Sequence, residues 1–328
     1  MQPYVSIVMV GRNDNYGGDF RLRLQRCITN TFERLNELSI QSEIIFVNYN
    51  PLDAEKPIEE FIDWPSSNRM VSIRVITVPK EVHRQLVQEG IRKDVPVMEY
   101  LGKNAGIRRA KGQFILSMNP DIILPIEVVK QLQNLKKGSY YRTDRVDFSG
   151  DLFKDHHFIR VFLKGHDFII SSLDQIPKLR MHNYFLNKWR NLTPKISWLL
   201  NLISVPVYYN NFGNRYHCNV SGDFMLMHRD HWVSLEAHNE NRPIALHVDS
   251  LMVIQATALG LKERVLDQPI FHQEHSRRFD ATQENPEYLQ AFEFFTSEAR
   301  KMMKNGAPEK YNGQHWGLSK FDLPELNL

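Results

Sequence analysis

Asn119-Pro120-Asp121 lies between two apolar runs, Phe114 to Leu116 and Ile122 to Leu124. Short apolar runs bounded by turn residues read as buried strands, and Pro120 takes the chain out of any ladder or helix there. Asp121 is thereby set at the C-terminal lip of a strand, where open α/β sheets bind ligands. A carboxylate at that place suits a divalent cation held against a phosphate-bearing substrate. Far along the chain, His272-Gln-Glu-His275 follows another apolar strand end. Imidazole is a common ligand for Mn2+ and its relatives, so His272 or His275 could join Asp121; two ordinary loop histidines are the plainer alternative. His247-Val-Asp249 opens a helix read over 248–259, closing at Gly260. A carboxylate in the first helical turn is favoured by the macrodipole and suits a general base, although an ordinary capping Asp looks the same.

Three polar stretches could meet a nucleotide or sugar. Gly11 to Asp19 follows the first strand, and its glycines allow backbone N–H groups to approach a phosphate while Asn13 and Asp14 reach a base or ribose. The segment is neither a Walker loop nor GxGxxG, and a plain strand-to-helix turn explains it equally well. Lys103-Asn104-Ala-Gly106, with Arg108, Arg109 and Lys111, puts cations just ahead of the Asp121 strand. They could neutralise a diphosphate, or form a solvated helix face. Ser221-Gly222-Asp223 is a further candidate for sugar hydroxyls.

The elements that must position these residues alternate. Val5 to Val10 reads as a strand, Asp19 to Leu38 as an amphipathic helix, Ile44 to Val47 and Val71 to Val78 as strands, Met98 to Arg109 as a helix and Phe114 to Met118 as a strand. Strands separated by helices argue for a mainly parallel sheet with crossover helices. Residues 138–217 lose this periodicity. Strand signals return from Asn219 to His228, with a last strand suggested by Val265 and Ile270-Phe271 before His272. A helix and tail are expected over 277–328.

Composition narrows the classes. The 41 basic and 38 acidic residues leave a net charge of +3, too balanced to argue for nucleic acid. Cys27 and Cys218 form neither a metal-like spacing nor a disulfide framework, which points to a reducing compartment. Tyr4 to Val10 is too short for a signal h-region or a membrane span, so a cytoplasmic chain is expected, any anchor lying upstream of this sequence. Basic and aromatic residues alternate over 178–210, where a peripheral membrane contact and a packed helix pair are both open readings.

The order of these pieces resembles inverting glycosyltransferases of the GT-A fold, especially the family-2-like group. The resemblance is carried by Val5-Ser-Ile-Val-Met-Val-Gly-Arg-Asn-Asp14, by Lys103-Asn-Ala-Gly-Ile-Arg-Arg-Ala-Lys-Gly112, and by Asn119-Pro-Asp121 in the place of the Asp-x-Asp metal motif. Gly222-Asp-Phe-Met-Leu-Met-His-Arg229, His247-Val-Asp249 and the late histidines follow in the family's order. Asn48 and Asn119 stand where the family carries acids, and no acid precedes Asp249. The resemblance covers residues 4–124 and 219–276.

It implies an α/β fold of GT-A (Rossmann-like) type: a mixed, mainly parallel sheet flanked by helices, with an inserted acceptor-side segment. Residues 1–276 would form the GT-A domain, with a nucleotide-binding half (1–124) and an acceptor half (125–276, insertion 138–217), and 277–328 a C-terminal helical extension. The implied activity is transfer of a sugar from a nucleotide-diphosphate sugar, foremost a UDP-sugar, to a hydroxyl. Asp121 with His272 or His275 would hold Mn2+ or Mg2+. Arg12, Asn13, Asp14, Asn48, Lys103, Asn104 and Asn119 would contact the nucleotide, Gly222 and Asp223 the sugars, and Asp249 would be the catalytic base. The acceptor, whether glycan, lipid-linked or protein, is left open. A sugar nucleotidyltransferase and a non-catalytic nucleotide-sugar binder are the alternatives.

Overall fold

The computed structural model describes residues 2–89, 95–148, 159–163, 166–170, 177–182, 184–185, 216–218, 220–242, 245–276 and 285–328. The first half runs β1 (Val5–Gly11), α1 (Phe20–Glu37), β2 (Ser42–Tyr49), α2 (Ile58–Phe61), β3 (Val71–Val78), α3 (Lys80–Gln88), α4 (Glu99–Arg109), β4 (Phe114–Met118), β5 (Ile122–Ile123) and α5 (Ile126–Gln131). It continues as β6 (Ser139–Arg142), β7 (Arg145–Phe148), β8 (Ile159–Leu163), β9 (His166–Ile170), β10 (Phe224–His228), α6 (Arg229–Leu235) and α7 (Val248–Ala258). The chain then closes with β11 (Lys262–Val265), β12 (Ile270–Gln273), α8 (Pro286–Asn305) and β13 (Glu325–Asn327).

The fold is a mixed α/β sheet flanked by helices. Eight strands lie in the order β11-β6-β10-β4-β1-β2-β3-β13, with β3, β2, β1 and β4 mutually parallel at the centre. These central strands read as unbroken apolar runs because helices cover both faces. Alternation along β1 sorts its side chains: Val5, Ile7 and Met9 pack with Phe20, Leu24 and Ile28 of α1, while Val8 and Val10 pack with Leu101 and Ala105 of α4. Helix α4 comes close to the sheet through two glycines one turn apart. A Cβ added at Gly102 would lie 2.5 Å from Val10 Cγ2, and one at Gly106 2.5 Å from Val8 Cγ1. That closeness carries Lys103 inward, beside the C-terminal ends of the strands.

A second sheet, in the order β5-β12-β7-β8-β9, stands at this same end. Several expectations shift here. Strands β6 and β7 arise where the sequence loses its periodicity, because buried positions on them hold Arg142, Arg145 and Asp147. Buried charges interrupt the apolar runs that mark the central strands, leaving only the short alternation of Arg145-Val-Asp-Phe148 as a strand signal. The single late strand is two: β11 joins the large sheet beside β6, and β12 joins the small one. His272 lies inside β12 rather than after it. The strand expected from Asn219 begins at Phe224.

The C-terminal segment closes over this framework. Helix α8 sets Phe295, Ala299 and Met302 against α7, and β13 pairs antiparallel with β3. Arg109 donates to the carbonyls of Gly317, Leu318 and Phe321 at 2.8–3.1 Å, so this cation holds the tail. Among the described residues, no helix is long and apolar enough to cross a membrane.

Candidate functional site

Strand β4 ends at Met118, and the turn through Pro120 drops Asp121 beside the second sheet. There the Gln273 N–H donates to the Asp121 carbonyl at 3.1 Å, fixing the late histidines against the turn. His275 Nε2 lies 3.1 Å and His272 Nε2 3.8 Å from Asp121 Oδ2. The Arg23 guanidinium, from the first turn of α1, donates to the same oxygen at 3.2 Å. Burial works against ionisation of Asp121, yet His272, His275 and Arg23 outweigh it and hold the carboxyl well below the usual carboxylate range. Burial likewise opposes charge on His272, where Asp121 and Asp147 prevail and raise its affinity for a proton.

The loop after β1 lids this cluster. Arg23 donates to the Tyr16 and Gly18 carbonyls, and the Tyr16 ring meets the His275 ring edge-on with centroids 5.2 Å apart. Gly17 has φ 68°, and a Cβ there would lie 2.6 Å from His275 Nδ1. Only glycine fits between the loop and the imidazole.

A cation suits the donor set. One ligand atom each from Asp121, His272 and His275 lies within 4.8 Å of the others. Asp121 Oδ1 is buried and has no hydrogen-bond partner among the described residues. An unpartnered buried oxygen is costly unless something meets it. One carboxylate with two imidazoles fits Mn2+ better than Mg2+, which prefers oxygen ligands. Asp147, His272 and Glu274 also gather within that distance. There, however, Asp147 already faces a cation, with Arg145 Nε 2.6 Å from its Oδ1.

Behind Asp121 runs a polar chain toward Asp249. Lys103, fully buried, donates to Glu99 Oε1 at 2.8 Å, Asn119 Oδ1 at 2.6 Å and the Gly222 carbonyl at 2.9 Å. An ammonium has three donors, and all three are taken. Lys103 thereby braces the Glu99, Asn119 and Gly222 segments against one another. Replacing it with Met is expected to lower stability by about 3 kcal/mol, as for other broken buried charge pairs. Chemical denaturation checks this, and a loss below about 1 kcal/mol would remove the brace.

Asn119 turns its other end to Asp223, donating at 2.8 Å, and Arg145 in turn binds Asp223. Lysine can only donate and a carboxylate only accept, which fixes the orientation of the amide. An acid at position 119 would face the Asp223 carboxylate, so asparagine is the residue that joins both partners. Gly222 N–H donates to Asp249 Oδ2 at 2.6 Å. A Cβ at Gly222 would lie 2.9 Å from the Tyr100 hydroxyl, so the glycine admits this approach. Asp249 remains half-exposed at the start of α7.

The other expected nucleotide contacts divide. Arg12, Asp14 and Asn48 stand at the C-terminal ends of β1 and β2, and among the described residues Asn48 Oδ1 is buried without a hydrogen-bond partner. Asn13 instead ties down the next loop, donating to the Leu52 and Lys56 carbonyls and accepting from Leu52 N–H. Asn104 does the same toward α6: it donates to the His238 carbonyl and to Glu240, and accepts from His238 N–H. Adjacent helical residues point about 100° apart, so Lys103 and Asn104 reach different neighbours here. Arg23, Arg145 and Asp147 were not anticipated. Alternation of charge and apolar residue in Arg145-Val-Asp-Phe148 was the signal available for the last two. Most of 178–210, including Trp189 and Trp198, lies outside the described residues.

No protein-family model matches the chain, and no curated protein matches it in sequence. Its structure overlaps a crystal structure of GalNAc-T7 with UDP, GalNAc and Mn2+ at a TM-score of 0.48 and 10% identity, covering 94% of this chain and 56% of that one. A structure of S. aureus TarS overlaps at 0.47 and 9% identity, covering 94% of this chain and 67% of that one. The mannosyltransferase PcManGT from Pyrobaculum calidifontis, in complex with GDP-Man and Mn2+, gives 0.41 and 9%, covering 93% and 73%. Overlap of this extent assigns no role to any residue here.

Proposed function

We propose that this chain is a GT-A glycosyltransferase that uses a nucleotide-diphosphate sugar, foremost a UDP-sugar, with a divalent cation. The observation that carries the reading is the Asp121–His272–His275 cluster, with an Asp121 Oδ1 that no described residue meets, beside the C-terminal ends of four parallel strands. Asp121, His275 and His272 would hold the cation, which when bound offsets the negative charge of a departing diphosphate. Arg12, Asp14 and Asn48 lie on the rim where the nucleoside would rest. Lys103 and Asn119 keep the Gly222–Asp223 loop against the metal turn, so the sugar is gripped by a fixed frame. Asp249, steadied through Gly222, would take the proton of the acceptor hydroxyl as it attacks the anomeric carbon. One in-line displacement then inverts the anomeric centre.

A thermal-shift panel of UDP, GDP, CMP and ADP, each with and without Mn2+, tests the donor class. The proposal expects a stabilisation by one nucleoside diphosphate that depends on Mn2+. No shift with any nucleotide would sink it.

A peripheral membrane contact through 178–210 belongs to the same proposal. Met181, Tyr184 and Phe185 are exposed near Lys178, a mixture that can rest on anionic headgroups, while the neighbouring Arg180 is paired with Asp144 at 2.8 Å. Sedimentation with anionic vesicles is expected to carry the chain down. Chain left in the supernatant removes this contact.

A further inference from the structure

Strands β7 and β12 are parallel neighbours in a register that sets Asp147 directly beside His272. The Asp147 Oδ1 atom lies 3.2 Å from His272 Nδ1, on the opposite side of the ring from Asp121. Both residues are buried, and among the described residues neither atom has an aligned hydrogen bond, although Arg145 Nε lies 2.6 Å from Asp147 Oδ1. His272 Nδ1–H thus has an acceptor within reach, since a carboxylate oxygen can accept a second bond beside its contact with Arg145. Arg145 Nη2 donates to Asp147 Oδ2 at 3.0 Å and also binds Asp223, so the carboxylate cannot swing away.

An imidazole that ligates a metal through one nitrogen is oriented by whatever accepts the proton of the other. Here the acceptor comes from a strand that contributes nothing else to the cluster. We propose that Asp147 is a positioning residue: it receives the Nδ1 proton of His272 and holds Nε2 toward Asp121 for the divalent cation. This rests on the reading of Asp121, His272 and His275 as a cation site. Through Arg145 the same residue links that site to Asp223, and through Asp223 to Asn119. Orientation of the ligand and placement of the sugar loop therefore share one buried guanidinium.

The test is Mn2+ binding by the full chain, measured by titration calorimetry and by the electron paramagnetic resonance signal of free Mn2+. Asp147→Asn keeps the shape and a partner for Arg145 but removes the charge. It is expected to weaken Mn2+ binding about tenfold, with His272→Ala weakening it more. The deciding quantity is the coupling: added to His272→Ala, Asp147→Asn is expected to have no further effect. A merely structural role would weaken binding equally in both backgrounds. If Asp147→Asn does not fold, Asp147→Glu carries the same cycle, since one added methylene displaces the acceptor while keeping the charge beside Arg145. Unchanged Mn2+ affinity, or additive losses, overturns the positioning role and leaves the cation site standing. Wild-type chain that binds no Mn2+ overturns the cation site itself.

Discussion

Asp249→Asn is expected to keep the Mn2+-dependent nucleotide shift and to lose turnover by about 10³-fold, the scale of a missing general base. The substitution is nearly isosteric, and the amide oxygen can still accept from Gly222 N–H, the contact that Asp249 Oδ2 makes at 2.6 Å. The Gly222–Asp223 loop should therefore hold its place, and only the proton acceptor is removed. Turnover is read as release of nucleoside diphosphate from whichever donor shifts the melting temperature. Because the loss falls on chemistry rather than binding, kcat should drop with KM little changed. Turnover within threefold of wild type would return Asp249 to the plainer role of a residue at a helix start. The donor and cation readings would survive that result.

Asp121→Ala carries the second large effect and divides it into two measurable parts. The first is loss of ligand-linked stability. A nucleotide held at a hundred times its Kd contributes about 2.7 kcal/mol, or about 5 °C in a chain of this size, and the Mn2+-dependent share of that is expected to vanish. The second is a lower melting temperature without ligand, since Arg23 loses its carboxylate in a buried setting. Stranding one member of a buried pair costs about 3 kcal/mol. Asp121→Asn separates the two, because its amide oxygen can still meet Arg23 while its charge is gone. A Mn2+-dependent shift that persists in both variants would place the cation elsewhere and remove the central observation behind the proposed function.

What could be read in the chain depended on how each residue is buried. Strands β3 and β4 were read to the residue, and β1 and β2 within two at each end, because strands covered on both faces must be apolar throughout. Asp121 was visible for the opposite reason, as a charge set by a proline at the end of such a run. His272 and His275 were found by type, yet their approach to Asp121 depends on β5 pairing with β12. Sequence shows neighbours, not directions, so it does not separate Lys103, Asn104 and Asn13 from Arg12 and Asp14 beside the end of β1. In three dimensions Lys103, Asn104 and Asn13 turn inward to partners far along the chain.

The parallel core, the lip on which Asp121 stands and the kinds of side chain available for chemistry are legible in the chain alone. Local burial and turn propensity suffice for these. Which polar groups pair with one another across the fold depends on packing between distant segments. Only the tertiary structure joined Asn119 to Asp223, Asp147 to His272 and Arg23 to Asp121, pairs made by strand register and helix packing. A buried charge stays only where a partner meets it, and no local pattern says from which strand the partner will come.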